Sequence, residues 1–467
     1  MKIGEKFLLG GAISASQCEG AYNLDGKGLS VFDTLPTGRD RVKEAAKRDF
    51  TIEQNLHYPS HFGIDFYHTY KTDLMLMKEL GFNAFRFSIN WCRIFPTSEE
   101  EMPNEKGLLF YDNLINECLR LGLEPIVTML HYEIPMNLVK KYGGFSSRKV
   151  VEYFGKYAKA ILDRFNDKVK YWITINEINI ARYSPIDAGC YLSNIEDNLN
   201  TIYQIAHNQF IASANAVIYG KSINSSLGFG MMLGYEPVYA ETNKPLDVLL
   251  AQELEEDIYF YSDMQINGYY SNYNKQYLKH KGITIAVEEN DDLTLMKGKV
   301  DFLSFSYYSS ATVSSDANKM KKAKRGNIVY SLENKNCSKT PWGWTIDEIG
   351  LKVSINRLYS RYRIPLMIAE CGIGMDDIME NDEINDIYRM EFYENHLKQV
   401  NSCIENGIEV MGFMCWAPID LVSAASGEMK KRYGFVYVDL DNDGNGTNKR
   451  YKKNSFYWMK NNINKMK

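Results

Sequence analysis

The chain has 467 residues, of which 45% are hydrophobic and 24% are charged, an ordinary balance for a globular protein with a large core. Its formal net charge of -5 and pI near 5.9 exclude a general nucleic-acid binder, because no basic excess is available to neutralise phosphates. No stretch reaches the roughly 18 apolar residues of a membrane span, and residues 1–7 lack the apolar core of a signal peptide, so we expect a cytoplasmic protein without a membrane partner.

Short apolar runs alternate with segments of helical periodicity along the whole chain. The predicted strands are residues 7–16, 82–88, 124–130, 170–176, 227–233, 300–308, 365–370 and 409–417. The predicted helices are residues 67–80, 107–121, 146–165, 196–219, 245–266, 346–362, 389–406 and a last helix from about 455. With no linker or low-complexity break, this alternation predicts a single α/β domain over residues 1–467, a (β/α)8 TIM barrel with its active site at the C-terminal ends of the strands.

Two of these apolar strands are followed by, or end on, a glutamate. The aromatic and β-branched run at residues 169–175 leads into Asn176 and Glu177, and the run at residues 365–369 leads into Glu370. Since the strands of a barrel deliver their last side chains to one rim, the two glutamates are predicted to face one pocket, as glycoside hydrolysis requires. Either glutamate taken alone fits a salt-bridged rim residue equally well.

Further polar and aromatic side chains fall at or just after predicted strand ends. They are Gln17, Arg86, His131, Tyr308 and Trp416. These residues are therefore candidates for the same pocket.

The cysteine pattern bears on metals and redox chemistry. Eight cysteines are scattered without a CxxC pair, and several lie in apolar runs. This pattern predicts reduced, buried thiols and favours neither a zinc site nor a disulfide framework. Cys371 adjoins Glu370 but has no identifiable partner base, so thiol catalysis is disfavoured. The short basic run at residues 319–325 indicates a solvated loop.

Five stretches, in order along the chain, resemble glycoside hydrolase family 1. They are residues 17–21 (QCEGA), 85–96 (FRFSINWCRIFP), 131–135 (HYEIP), 174–177 (TINE) and 368–372 (IAECG). The resemblance covers essentially the whole chain and implies a retaining mechanism, with Glu370 as nucleophile and Glu177 as acid/base. Retaining chemistry needs these carboxyl groups about 5 to 5.5 Å apart.

The resemblance also implies roles for the other candidates. Arg86 and Tyr308 would contact Glu370 and favour its carboxylate form. The residues implied to bind the sugar are Asn176 at the 2-hydroxyl, Gln17 and His131 at other ring hydroxyls, and Trp416 as a platform beneath the ring. Without the motif, His131 would more often be a satisfied core histidine. Two positions depart from the family pattern, Cys371 and Ser306, where asparagine is common.

The stretch after the eighth strand bears on which sugar is bound. Ordinary β-glucosidases of the family have a Glu-Trp pair where this chain has Ser423 and Ala424, and a serine can donate to a 6-phosphate that a glutamate would repel. Lys431 and Tyr433 match the phosphate-binding pattern of the 6-phospho-glycosidase branch, although a solvated basic turn at residues 430–432 is the alternative. Ala424, where galactose-specific relatives carry tryptophan, favours 6-phospho-β-glucosides.

The resemblance therefore implies a hydrolase, free of metal and cofactor, that cleaves 6-phospho-β-D-glucosides such as phosphorylated cellobiose or aryl glucosides to glucose 6-phosphate and an aglycone. The enzymatic alternatives are a 6-phospho-β-galactosidase and an unphosphorylated β-glucosidase. A phospho-sugar binding protein that has lost catalysis is a rival of another class, and the presence of both glutamates weighs against it. Aglycone preference and assembly, including a homo-oligomer, stay open.

Overall fold

Eight short strands form the wall of a barrel in the computed structural model, which describes residues 6–466. The strands are β1 Leu8–Ala12, β2 Ala84–Ser88, β3 Glu124–Leu130, β4 Tyr171–Ile175, β5 Gly228–Gly234, β6 Phe302–Tyr307, β7 Leu366–Cys371 and β8 Val410–Trp416. They pair in parallel and close in the order β1-β8-β7-β6-β5-β4-β3-β2. The predicted (β/α)8 barrel is confirmed. Residues 1–5, part of the N-terminal stretch interpreted above, and residue 467 lie outside the described residues.

A helix follows each strand and packs on the outside of the barrel. These helices are α1 Phe66–Leu80, α2 Glu105–Leu121, α3 Arg148–Phe165, α4 Leu199–Ile223, α5 Pro245–Asn267, α6 Glu348–Tyr362, α7 Ile387–Glu405 and α8 Asn454–Met466. In α3 the periodic apolar residues Val151, Phe154, Ala158 and Ile161 are all buried, as their spacing predicts. Helix α1 ends at Gly81, whose φ of 97° is the left-handed conformation that favours glycine.

The loops between these elements carry short structures, most of which periodicity did not predict; Glu196–Asn198 lies within the predicted helix at residues 196–219, and Gly144–Ser146 overlaps the start of the one at residues 146–165. The short helices are Ala15–Cys18, Val31–Thr34, Arg41–Ala46, Pro59–Phe62, Trp91–Ile94, Met136–Tyr142, Gly144–Ser146, Ile178–Arg182, Pro185–Ala188, Glu196–Asn198, Asn272–His280, Asp291–Lys297 and Ala317–Met320. The small strand pairs are Val238–Ala240 with Ala311–Val313, Lys324–Arg325 with Tyr330–Ser331, Ser338–Lys339 with Thr345–Ile346, and Val436–Val438 with Arg450–Lys452.

The structure bears on the cysteine pattern and on the search for a membrane span. Seven of the eight cysteines are buried and Cys337 is half-buried, and all eight are free thiols. Within residues 6–466, no helix combines the length and apolar character that crossing a bilayer demands.

The strand ends bring the candidate residues to one rim of the barrel. In the parallel register, Glu370 on β7 pairs with Ser306 on β6, and Trp416 at the end of β8 pairs with Ala12 at the end of β1. The first strand is shorter than predicted, because the chain leaves the barrel after Ala12 and the Ala15 amide donates to the Ser88 hydroxyl at 2.9 Å. This turn places Gln17 on a short helix at the rim.

Candidate active site

Glu370 lies near the end of β7 and is held by two donors. Its side chain is buried, with the residue 4% exposed. Arg86 Nη1 donates to Oε1 at 2.6 Å, and the Tyr308 hydroxyl donates to Oε2 at 2.6 Å. Arg86 is itself fully buried on β2, where its Nε donates to the Thr128 hydroxyl at 3.0 Å. The contacts expected of Arg86 and Tyr308 are therefore present, and both favour a charged carboxylate.

The protonation of Glu370 is set by burial acting against these two donors. Burial raises the pKa of Glu370 to about 7, with Arg86 and Tyr308 opposing the rise and the charge on Glu177 adding to it. Arg86 and Tyr308 therefore favour the carboxylate form as expected, although burial has the larger effect on the pKa. The contribution of Glu177 also shows that the two carboxyl groups lie close enough to interact.

Glu177 stands two residues beyond β4, at a φ of 36° in the left-handed region. The Tyr132 hydroxyl donates to its Oε2 at 2.8 Å, and the Ser306 hydroxyl donates to its Oε1. Asn176, which precedes it, accepts from Arg86 Nη2 at 2.5 Å and donates to the Tyr132 hydroxyl oxygen at 2.8 Å. Hydroxyl donors therefore contact each oxygen of one glutamate, whereas an arginine and a phenol contact the other.

Three further residues expected to contact the sugar are His131, Trp416 and Gln17. The His131 ring lies 5.9 Å from the Trp416 ring at an angle of 29°. Burial and the nearby Arg86 lower the pKa of His131 well below its usual value, so its ring is neutral. Its Nδ1 is buried without a hydrogen-bond partner among the described residues. Gln17 differs, since its amide already donates to the Val422 carbonyl at 2.6 Å and accepts from Ser14 at 2.7 Å.

Glu133, which was assigned no role from sequence, is a buried carboxyl group that connects the segments carrying Gln17 and His131. Glu133 accepts from the backbone amides of Ser16 at 3.0 Å and His131 at 3.1 Å. Burial raises its pKa to about 8. It joins the loop after β1 to the end of β3, and so holds Gln17 and His131 in relation to one another.

Lys431 and Tyr433 lie together near Glu370. Both residues are buried, at 4% exposure each. The Lys431 ammonium lies 3.5 Å from the Trp344 ring centroid and 5.6 Å from that of Tyr433. Tyr433 in turn meets the ring of Tyr308 edge-on at 6.4 Å, and Tyr308 donates to Glu370. A single aromatic ring, that of Tyr308, therefore separates this pair from Glu370.

The Lys431 ammonium has no acidic neighbour. Among residues 6–466, no carboxylate oxygen lies within 4 Å of it, whereas the exposed Lys430 lies 3.6 Å from Glu428. Burial lowers the pKa of Lys431 to about 7, with Glu428 opposing from a distance. Arg432 is also buried and contacts Asp420 at 3.1 Å. The alternative of a solvated basic turn is therefore wrong for Lys431 and Arg432.

Ser423 occupies the third predicted position and is buried at the start of a tight loop. Its backbone accepts from Gly427 at 2.8 Å and donates to Glu428 at 2.9 Å. Over the described part of the chain, no hydrogen bond joins its hydroxyl to Lys431 or Tyr433. It directly follows Val422, whose carbonyl accepts from Gln17, so Ser423 lies near Gln17.

Comparison with known proteins identifies the family of this chain. A family model described as Glycosyl hydrolase family 1 matches residues 1–467. This chain belongs to glycosyl hydrolase family 1. It is 46% identical to the aryl-phospho-beta-D-glucosidase BglH of Bacillus subtilis (strain 168), over 98% of this chain and 96% of that protein. It is 43% identical to the 6-phospho-beta-glucosidase AscB of Escherichia coli (strain K12), over 98% and 97%.

A solved family 1 structure supports the fold assignment. The family 1 b-glucosidase from Thermotoga maritima superposes with a TM-score of 0.84 at 26% identity, covering 99% of this chain and 98% of that one. The predicted membership of family 1, and its resemblance to the 6-phospho-β-glucosidase branch, are confirmed.

Four residues that contact the candidate site residues were given no role from sequence. They are Tyr132, Glu133, Trp344 and Gly374. A Cβ on Gly374 would lie 2.9 Å from atoms of Lys431 and Tyr433, so the glycine makes room for that pair. Tyr132 and Glu133 lie within the HYEIP motif, which was the available signal. Trp344 and Gly374 lie on other loops, and nothing local in the sequence connects them with Lys431.

Proposed function

We propose that this family 1 chain is a retaining 6-phospho-β-glucosidase, which releases glucose 6-phosphate from 6-phospho-β-D-glucosides. The observation that carries the proposal is the buried Lys431 ammonium, which has aromatic neighbours and, among residues 6–466, no carboxylate oxygen within 4 Å. It contacts the Tyr433 ring, which meets the Tyr308 ring beside Glu370. A 6-phosphate would supply the missing counter-charge. The names of the relatives at 46% and 43% identity support the same substrate class.

The proposed mechanism uses the two glutamates in sequence. Ionised Glu370 attacks the anomeric carbon while Glu177 protonates the leaving oxygen, and a glycosyl-enzyme forms. Glu177, now a carboxylate, removes a proton from water, which attacks the anomeric carbon and restores Glu370. Arg86 and Tyr308 orient the Glu370 oxygens and stabilise their charge when the sugar leaves.

The remaining candidates would bind the glucose ring. Asn176 would contact the 2-hydroxyl, and the unpartnered Nδ1 of neutral His131 would bind another hydroxyl. Trp416 would stack beneath the ring. Gln17 can take part only if a sugar hydroxyl shares or replaces its contacts with Val422 and Ser14.

The gluco preference rests on the residue after Ser423. Ala424 is half-buried and its carbonyl accepts from Arg41 Nη1 at 3.1 Å, so a methyl group stands where a bulky side chain would narrow the pocket. We infer that an equatorial 4-hydroxyl is accepted here. A 6-phospho-β-galactosidase would show the reverse preference.

Turnover of matched aryl glycosides tests the proposal. We expect hydrolysis of 4-nitrophenyl 6-phospho-β-glucoside to exceed that of the unphosphorylated glucoside and of the 6-phospho-β-galactoside. Faster turnover of the unphosphorylated sugar would refute the role of Lys431, and faster turnover of the galactoside would refute the role of Ala424. Binding without hydrolysis would support a sugar-binding protein instead, and Glu370→Gln should abolish any true turnover.

Two coarser features belong to the same proposal. We infer a cytoplasmic location, since sugars phosphorylated during import reach the enzyme inside the cell. We also infer that residues 1–467 form one catalytic domain, because the barrel begins at Leu8 and its last helix ends at Met466.

A further inference from the structure

Tyr132 lies two residues after the end of β3, and its hydroxyl contacts Asn176 and Glu177 in the candidate active site. Its φ of 78° is rare for a residue with a side chain, and the residue is only 8% exposed. The ring stacks on Phe32 at 6.4 Å, within a small apolar cluster that includes Val31 and Ile186. The phenol oxygen is thereby held between Asn176 and Glu177, at 2.8 Å from each contacting atom.

These contacts complete an unbroken chain of hydrogen bonds between the two glutamates. Glu370 Oε1 accepts from Arg86 Nη1 at 2.6 Å, and Arg86 Nη2 donates to Asn176 Oδ1 at 2.5 Å. Asn176 Nδ2 donates to the Tyr132 oxygen at 2.8 Å, and the Tyr132 hydroxyl donates to Glu177 Oε2 at 2.8 Å. Two carboxyl groups that are 193 positions apart in the sequence are thus connected through three side chains.

The donor-to-acceptor direction of these hydrogen bonds is set by Arg86, because an arginine side chain only donates. Because Arg86 donates to Asn176, the facing amide atom must be the oxygen, and the amide nitrogen must point towards Tyr132. The phenol oxygen therefore accepts from Asn176, and its own proton is directed at Glu177 Oε2. Burial and the charge on Glu177 raise the pKa of Tyr132 well above its usual value, so the phenol keeps that proton.

We propose that Tyr132 is a positioning residue for the acid/base, which keeps Glu177 Oε2 as a hydrogen-bond acceptor so that Oε1 carries the catalytic proton. The proposal rests on the proposed function, because it assumes that Glu177 protonates a leaving group. Ser306 contacts Oε1 through a hydroxyl that can rotate, so it can donate to Oε1 when that oxygen is bare and accept from it when it carries the proton. Over residues 6–466 no lysine or arginine lies within 4 Å of Glu177, so these hydroxyls alone orient it.

The Tyr132→Phe variant tests this role, because it keeps the ring on Phe32 and removes only the hydroxyl. Tyr362→Phe is the matched control. Tyr362 also donates to a carboxylate, Asp263 at 2.8 Å, and contacts a hydroxyl, Ser262 at 2.6 Å, but it lies between α5 and α6 outside the barrel.

Each variant is assayed on two 6-phospho-β-glucosides, one with a phenyl and one with a 2,4-dinitrophenyl leaving group. Phenolate needs protonation by Glu177, whereas dinitrophenolate leaves without it. Tyr132→Phe should lose about tenfold or more in kcat/KM on the phenyl substrate and less than about threefold on the other, since a hydrogen bond to a charged group is worth about that factor. Tyr362→Phe should leave both unchanged.

The outcomes separate the inference from the function on which it rests. Equal losses on the two substrates, or no loss on the phenyl substrate, would overturn the role of Tyr132 while leaving the enzyme assignment intact. Failure of the unaltered protein to hydrolyse either substrate would overturn the proposed function instead. Labelling with a 2-deoxy-2-fluoro glycosyl dinitrophenyl reagent bearing the 6-phosphate counts folded, reactive Glu370 sites in every variant, so misfolding cannot imitate the expected result.

Discussion

Replacing Lys431 with methionine should destroy the preference for phosphorylated substrates while making the protein more stable. The ammonium is buried against Trp344 and, over residues 6–466, has no carboxylate oxygen within 4 Å, whereas methionine fills a similar volume without charge. Removing one member of a buried, hydrogen-bonded charge pair costs about 2 to 5 kcal/mol of binding. At 1.36 kcal/mol per factor of ten, kcat/KM on a 6-phospho-β-glucoside should fall by about 30- to 5,000-fold.

The effect on stability should have the opposite sign. Burial lowers the pKa of Lys431 from 10.5 to about 7, so the charged lysine costs the folded protein on the order of 4 to 5 kcal/mol at pH 6. The cost is fully present below pH 7 and disappears as the pH rises to about 10.5, because the unfolded chain keeps its proton throughout that window. Losing the cation–π contact with Trp344 offsets about 2 kcal/mol of this.

The net gain of about 3 kcal/mol should raise Tm at pH 6 by about 3 °C, since the unfolding entropy of about 2.1 cal/mol/K per residue makes 1 kcal/mol worth about 1 °C in a chain this long. Thermal scans at one fixed rate, with kinetics on phosphorylated and unphosphorylated aryl glucosides, measure both effects. Lys430→Met, at the exposed neighbouring position, is the control and should change neither. A Lys431→Met variant that kept the phosphate preference, or that melted below the unaltered protein at pH 6, would refute the reasoning.

Three further predictions concern the same pocket. On the acid side of the pH profile, kcat/KM should begin to fall near pH 7, because Glu370 has a pKa of about 7 and attacks only as a carboxylate. A profile in which kcat/KM falls only below pH 5 would contradict this. Gly374→Ala should raise KM for phosphorylated substrates about tenfold, because its Cβ would come within 2.9 Å of Lys431 and Tyr433, and an unchanged KM would show that the pair moves freely. Ser423→Glu should lower kcat/KM on phosphorylated substrates by about 100-fold relative to unphosphorylated ones, since a carboxylate about 4 Å from the dianion repels it by a few kcal/mol, and an unaltered ratio would place the phosphate elsewhere.

The barrel was predictable because its signals are local. Each apolar run of β-branched and aromatic residues became a strand, and each periodic segment became a helix. The parallel register then placed Glu177 and Glu370 on one rim without further information. The first strand was predicted too long because the apolar residues continue past Ala12, whereas the backbone turns away to meet Ser88, a contact between residues 73 positions apart.

The parts of the site that escaped prediction depend on tertiary contacts. Tyr132 reaches Glu177 because its backbone adopts a positive φ, which no local pattern around HYEIP announces. Trp344 covers Lys431 from a loop 87 positions earlier in the chain. The raised pKa of Glu370 was not predictable for the same reason, since sequence indicates which charges are neighbours but not how deeply they are buried.

Glu370 and Lys431 are charged in different pH ranges before substrate binds, and substrate binding should bring both into their charged forms. Glu370 is mostly ionised only above pH 7, whereas Lys431 is mostly charged only below pH 7. Before substrate binds, only a minority of molecules therefore carry both charges at once. A phosphate dianion against Lys431 favours the ammonium, so its pKa rises on binding. At pH 8 the binding of glucose 6-phosphate should therefore take up about 0.9 proton per site, the fraction of Lys431 that is neutral beforehand. Calorimetry in two buffers of different ionisation enthalpy measures this uptake. It should vanish in Lys431→Met, and its absence from the unaltered protein would mean that the phosphate never meets that ammonium.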